Sequence, residues 1–130
     1  MRLTIRMVLP MVLLLCTNAL GMDEKEITAQ LTVPDATWSI AIDEVYEVGD
    51  ELWVISIVSQ NPNMAGAQVI STLQASLTIA APDLPVKHFI VGKTWHWTNE
   101  EPYTFIKDLK PIEDELKSGK LLYKAEKEGS

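Results

Sequence analysis

Cysteine is almost missing from this chain: Cys16 is the only one, and it lies in the first apolar stretch. The body of the chain therefore has no disulfide staple, thiol nucleophile or thiolate zinc site. Histidine is nearly as scarce, with only His88 and His96. Zinc wants three or four ligands drawn from His, Cys and carboxylate, so no metal site is expected. Basic residues are few, 11 against 18 acidic, for a formal charge of −7. That balance excludes a nucleic-acid role and docking on anionic lipid, both of which need a basic face. The six glycines are too scattered to cradle a phosphate, and no serine sits in a Gly-x-Ser-x-Gly elbow. Ser39, Ser56, Ser59, Ser71 and Ser76 all fall in strand patterns. Asp43-Glu44 and Glu100-Glu101 are sequence neighbours; on a strand such neighbours point to opposite faces, so they read as solvated charge. No catalytic residue and no cofactor is expected, and the chain reads as a non-enzyme.

The apolar run at the amino terminus is short. Arg2 and Arg6 precede Met7 to Cys16, which is apolar apart from the neutral breaker Pro10, and Ala19-Leu20-Gly21 offers small residues where a signal peptidase reads. The run falls short of the roughly 20 apolar residues that span a bilayer. Residues 1–21 are therefore expected to be an export signal cleaved after Gly21. The protein is then secreted or periplasmic, with no membrane insertion after cleavage. The alternatives are a retained signal anchor, or lipid attachment through Cys16, where Leu15 stands in place of the small residue that lipoprotein signals want. Loss of Arg2 and Arg6 leaves nine basic against 18 acidic residues. The remainder suits a single domain.

What is present in strength is alternation. From Ala67 to Ala80, Val69, Leu73, Ala75, Leu77 and Ile79 share one parity, and Gln68, Thr72, Gln74, Ser76 and Thr78 the other. Side chains alternate across a pleat with period two, so this is a long strand with one buried face, able to bend near Ser71 or Gln74. Met22 to Glu26 reads as a mobile acidic segment and Ile27 to Val33 as a short first strand. Pro34-Asp35 turns into a second strand, Thr37 to Val48, with a bulge near Asp43 to Val45 where parity fails. Gly49-Asp50 is a hairpin turn. Glu51 to Ser59 is apolar on both parities, which places it mid-sheet. Gln60 to Gly66 is a loop. Val86 to Val91 and Tyr103 to Ile106 are further strands, with Trp95 and Trp97 sharing a face opposite His96 between them. Asp108 to Ser118 is a helix capped by Asp108, striped by Leu109, Ile112 and Leu116, and stopped by Gly119. Lys120 to Ala125 is a last edge strand, and residues 126–130 a disordered tail. The fold expected for residues 27–125 is an antiparallel β-sandwich, Ig-like in general shape, with one short carboxy-terminal helix.

Aromatic residues are the remaining candidates for function. Trp38 and Trp53 sit in strong strand patterns and belong to the core. Trp95 and Trp97, in a short segment beside Tyr103, either form an exposed binding patch or close one end of the sandwich. With His96 and the loop residues Asn61, Pro62 and Met64, they make the candidate contact surface.

Trp38-Ser39-Ile40-x-Ile42-x-x-Val45, followed by the Leu52 to Val58 strand and by Pro62 to Val69, resembles the carboxy-terminal domain of the PrcB-like family of protease-complex subunits. The likeness runs from Ala36 to about Ile90. Ala36-Thr37 stands where the family has Gly-Gly, and neither the Trp95–Trp97 segment nor the helix has a counterpart. The resemblance implies an exported β domain that binds other proteins, and carries over no catalytic residue. Asn61-Pro62 is similar to the Asn-Pro loop of chagasin-type cysteine-peptidase inhibitors, although their glycine-rich second loop and Arg-Pro-Trp third loop are missing. The function expected is thus a non-catalytic exported accessory domain whose partner is another exported or envelope protein. The alternatives are a secreted peptidase inhibitor and a hydrolase with an unrecognised site.

Overall fold

The computed structural model describes residues 23–63 and 69–126. The expected export signal with Cys16, the loop residue Met64 and the last four residues lie outside the described residues. Among the described residues seven strands form two sheets: β1 (Asp23–Val33), β2 (Trp38–Val48), β3 (Glu51–Gln60), β4 (Ser71–Ala81), β5 (Val86–Val91), β6 (Thr104–Ile106) and β7 (Lys120–Lys124). β1 and β4 make a two-stranded ribbon, and the larger sheet runs β6-β5-β3-β2-β7. A short helix, α1 (Glu113–Ser118), follows a 3-10 turn at Lys110–Ile112. The protein is an all-β, sandwich-like fold with a short carboxy-terminal helix. Among the described residues no helix is long and apolar enough to cross a membrane.

The alternation in β4 is realised, with odd positions half-buried and even positions exposed. The strand starts at Ser71, pairs only with β1 and does not bend to serve a second sheet. The acidic segment is not a mobile lead-in. Asp23 to Glu26 extend β1, paired residue by residue with Ala81 to Thr78, because the apolar parity of Ile27, Ala29, Leu31 and Val33 fixes the register beyond its charged end. β2 and β3 form the expected hairpin across Gly49-Asp50, with Gly49 at φ +60°, and the register slips between Ile42 and Glu44 as the sequence predicts. β3 lies mid-sheet.

Two pairings depart from an all-antiparallel sandwich. β3 with β5 and β5 with β6 are parallel. After β3 the chain crosses to the ribbon and returns as β4, so β5 starts at the same end as β3. Between β3 and β5 the crossover that parallel neighbours require is supplied by a strand of the other sheet, and between β5 and β6 by residues 92–103.

Because β3 alternates, its two faces meet different partners. Leu52, Val54, Ser56 and Val58 face the ribbon, where Leu31, Val33, Trp38, Val58 and Ile90 pack together beside a cluster of Ile27, Ala29, Ile42, Val45 and Val54. On the other face Ile55 and Phe89 pack against Ile112 and Leu116. The expected helical stripe is therefore correct, although the first turn is 3-10. Asp108 Oδ1 accepts the Lys110 backbone N–H at 2.9 Å. Gly119 acts by proximity rather than by a left-handed cap. It is extended, and a Cβ there would lie 2.8 Å from the Glu47 carbonyl oxygen.

Candidate functional site

No strand forms between β5 and β6. Residues 92–103 instead make an irregular loop over the end of the ribbon. It begins at Gly92, whose φ of +108° suits only glycine, and a Cβ there would lie 2.2 Å from the Val58 carbonyl oxygen. The loop is held by side chains. Trp95 Nε1 donates to Asn99 Oδ1 at 2.8 Å, and Asn99 Nδ2 donates to the Thr32 carbonyl at 2.8 Å and to Glu101 Oε1 at 2.9 Å. Glu101 Oε2 accepts the Thr32 N–H at 2.9 Å and the Thr32 hydroxyl at 2.8 Å. The Tyr103 hydroxyl accepts the Gln30 N–H at 3.2 Å. These bonds satisfy main-chain groups on the outer edge of β1 that no strand reaches.

Glu101 is therefore a fastener and not the solvated charge its sequence context implies. Burial alone would raise its pKa, but the bonds from Asn99 and Thr32 outweigh that and hold the carboxyl below its usual range. Glu44 is likewise buried, accepting the Tyr46 hydroxyl at 3.1 Å with Lys124 Nζ at 3.8 Å. The signal that would have found Glu101 and Asn99 is absent from the local pattern, since their partners are nearly 70 residues away.

The two tryptophans of the loop part company. Trp95 turns inward, edge-on to buried Trp38 with centroids 4.9 Å apart, and Lys93 Nζ sits 5.4 Å from its ring. Trp97 lies 5.6 Å from Trp95 and is 39% exposed. The sequence left open whether the pair is exposed or closes the sandwich; each alternative holds for one member. Tyr103 is half-buried, its ring 4.6 Å from that of His88. His88 sits in β5 on the ribbon side with its Nδ1 buried, and burial pushes its pKa down. Trp53, expected in the core, is half-buried on the helix side, where its Nε1 bonds Glu51 at 3.0 Å.

Thr32, Ile70, Trp97, Thr98, Glu100 and Glu101 line a cleft of about 550 Å³. Its wall is part tryptophan and isoleucine, part carboxylate and hydroxyl. His96 is exposed on the same loop. Asn61 and Pro62 are exposed at the same end of the sandwich: Trp38, under Trp95, pairs with Gln60, and the Asn61 N–H reaches the Thr37 carbonyl at 3.0 Å. The cleft itself is not lined by Asn61, Pro62, His96 or Tyr103.

Ser56 is fully buried, and its hydroxyl has no partner among the described residues. Nor do three His, Cys, Asp or Glu side chains gather there in a group that could hold a metal ion. No family model matches this chain, and no curated protein or solved structure matches it either.

Proposed function

We propose that this chain is an exported, non-catalytic protein-binding or accessory domain. Its contact surface is the end of the sandwich that carries Trp97, with the Asn61-Pro62 turn beside it. The observation that carries this reading is Trp97 itself. A large aromatic ring is left 39% exposed above a cleft, on a loop fastened to β1 by a chain of hydrogen bonds. Tryptophan is the residue most often found at the energetic centre of protein interfaces, and a fixed anchor loses little entropy on binding. Glu100 and Glu101 add carboxylates to the rim and favour a partner surface that offers basic or hydrogen-bond-donating groups. The resemblance to protease-complex subunits makes such a complex the first setting in which to look for the partner.

The test is capture of envelope proteins on the tagged domain, with Trp97→Ala and Ile57→Ala as paired variants. Ile57 is equally exposed but belongs to the opposite face of the larger sheet. Trp97→Ala should weaken capture at least about tenfold, with stability changed by no more than about 0.5 kcal/mol. Ile57→Ala should leave capture intact. Equal capture by both variants, or turnover of a substrate lost on altering one polar side chain, would overturn the reading.

A further inference from the structure

The two sheets have four outer edges, and three carry devices that discourage a new strand. β6 is three residues long, and β7 is five residues that begin and end on lysine. β1 carries Asp23, Glu24, Lys25 and Glu26 along one half, and the other half is covered by Asn99, Glu101 and Tyr103. Short edges, charge and covering loops are how sheet proteins avoid edge-to-edge association. Among the described residues β4 has none of these. Its eleven residues include no charge and no proline, and they pair with β1 without a register shift.

The free edge of β4 can be located by its hydrogen bonds. Gln30 and Thr32 give their N–H groups to the loop, so even positions of β1 turn their main chain away from β4. In an antiparallel pair the residues opposite do the same. Thr72, Gln74, Ser76, Thr78 and Ala80 therefore direct N–H and C=O outward, and no described residue outside β1 pairs with β4. The 3.2 Å contact between the Thr28 and Ser76 hydroxyls fits the closer side chains of such pairs. A second observation comes from the inward face. In β1, Ile27, Ala29, Leu31 and Val33 are at most 2% exposed, whereas Leu73, Ala75, Leu77 and Ile79 of β4 are all only half-buried. The described residues of their own chain leave that face incompletely covered.

We propose that β4 pairs antiparallel with β4 of a second copy of this chain, joining the two ribbons into one four-stranded sheet across a two-fold axis. The charge pattern selects this occupant. Copies of a chain with formal charge −7 repel one another over most of their surface, and β4 is an eleven-residue stretch with no charge at all. Its outward side chains before Ala80 are hydroxyls and one amide, each both donor and acceptor, so they bond when set opposite their own kind. An axis at Ser76 pairs the strand along its whole length, with Ser76 opposite Ser76 of the partner subunit and Gln74 opposite Thr78 of the partner subunit. That register forms on the order of ten backbone hydrogen bonds. It also brings the half-covered Leu73, Leu77 and Ile79 of each copy together.

Sedimentation equilibrium of the purified protein, Ser76→Lys and Ser76→Glu tests it. The unaltered protein should dimerise, and either variant alone should raise the dissociation constant at least about tenfold by setting like charges face to face. An equimolar mixture of the two variants should restore the dimer. Circular dichroism controls for folding; should Ser76→Lys unfold, Gln74→Lys with Thr78→Lys places the same repulsion at the flanking pairs. A monomer at about 100 µM would overturn the proposal and leave the edge to a strand of another protein. A dimer indifferent to every one of these changes would also overturn it.

Discussion

On one side of the five-stranded sheet, stretches far apart in sequence converge: the β1–β4 ribbon and the loop of residues 92–103. On the other side, one local stretch, Leu109, Ile112 and Leu116, covers Ile55 and Phe89. The helix side is closed by apolar contact and its own short hydrogen bonds. The ribbon side needs polar fasteners, because an irregular loop brings main-chain groups that have no strand to bond them. Asn99 and Glu101 provide those bonds, and in holding the loop they leave Trp97 and a cleft at its rim. The exposed ring and the cleft arise where distant pieces of chain are joined, while the locally closed face is packing.

The largest effect expected is on the ribbon side, at Gly92. Gly92→Ala combines a positive φ with a Cβ driven against the Val58 carbonyl, and should cost at least about 3 kcal/mol in urea unfolding. Gly49→Ala has the positive φ without the clash, and should cost about 1 kcal/mol. Equal losses would mean that the loop gives way and is not fastened as described.

The next effect compares the two closures directly. Leu31→Ala removes a side chain that is 0% exposed between the sheets and should cost about 2–5 kcal/mol. Leu116→Ala, 7% exposed on a six-residue helix, should fall at or below the low end of that range, because a short helix can settle into the space. If Leu116→Ala proves the costlier, the helix is as much a part of the core as the ribbon.

Much of this division is legible in the sequence. The alternation from Ser71 to Ile79 marks a strand with one wet face, and the apolar run Leu52 to Val58 marks a strand covered on both faces. The stripe Leu109, Ile112 and Leu116 marks the cover of the helix side. Those features are local, and period alone reveals them. What escapes is set by long-range pairing. Asp23 to Glu26 look like a solvated lead-in because their strand partners lie more than 50 residues later. The parallel neighbours of β5 depend on a crossover that no periodicity announces. Asn99 and Glu101 look like loop residues because their bonding groups belong to β1. Trp95 and Trp97 are two residues apart in the same loop, and only the tertiary position of Trp38 decides which turns inward.

The smallest effect expected lies in the pH dependence of stability, and it again separates the two sides. Burial pushes the pKa of His88 down, so near and below about 6.5 the unfolded chain binds a proton that the folded chain resists. Stability conferred by neutral His88 is present above that value and declines as pH falls toward its lowered folded pKa. Glu101 has a folded pKa held below the usual carboxylate value, so its contribution is present above about 4.3 and is lost as pH falls through the lowered value. Asp35 is also held below its ordinary value by its bonds from Thr37, so its contribution too is lost as pH falls through its own lowered value. Thermal midpoints measured from pH 8 to pH 3 (bounds set by the ordinary His and carboxylate pKa values of about 6.5 and 4) should thus fall in two stages. His88→Phe should flatten the upper stage, and Glu101→Gln part of the lower. Leu116→Ala should shift the whole curve without changing its shape, since neither titrating group packs on the helix. An upper stage that survives His88→Phe would remove His88 from the account, and a change of shape with Leu116→Ala would join the two sides into one coupled core.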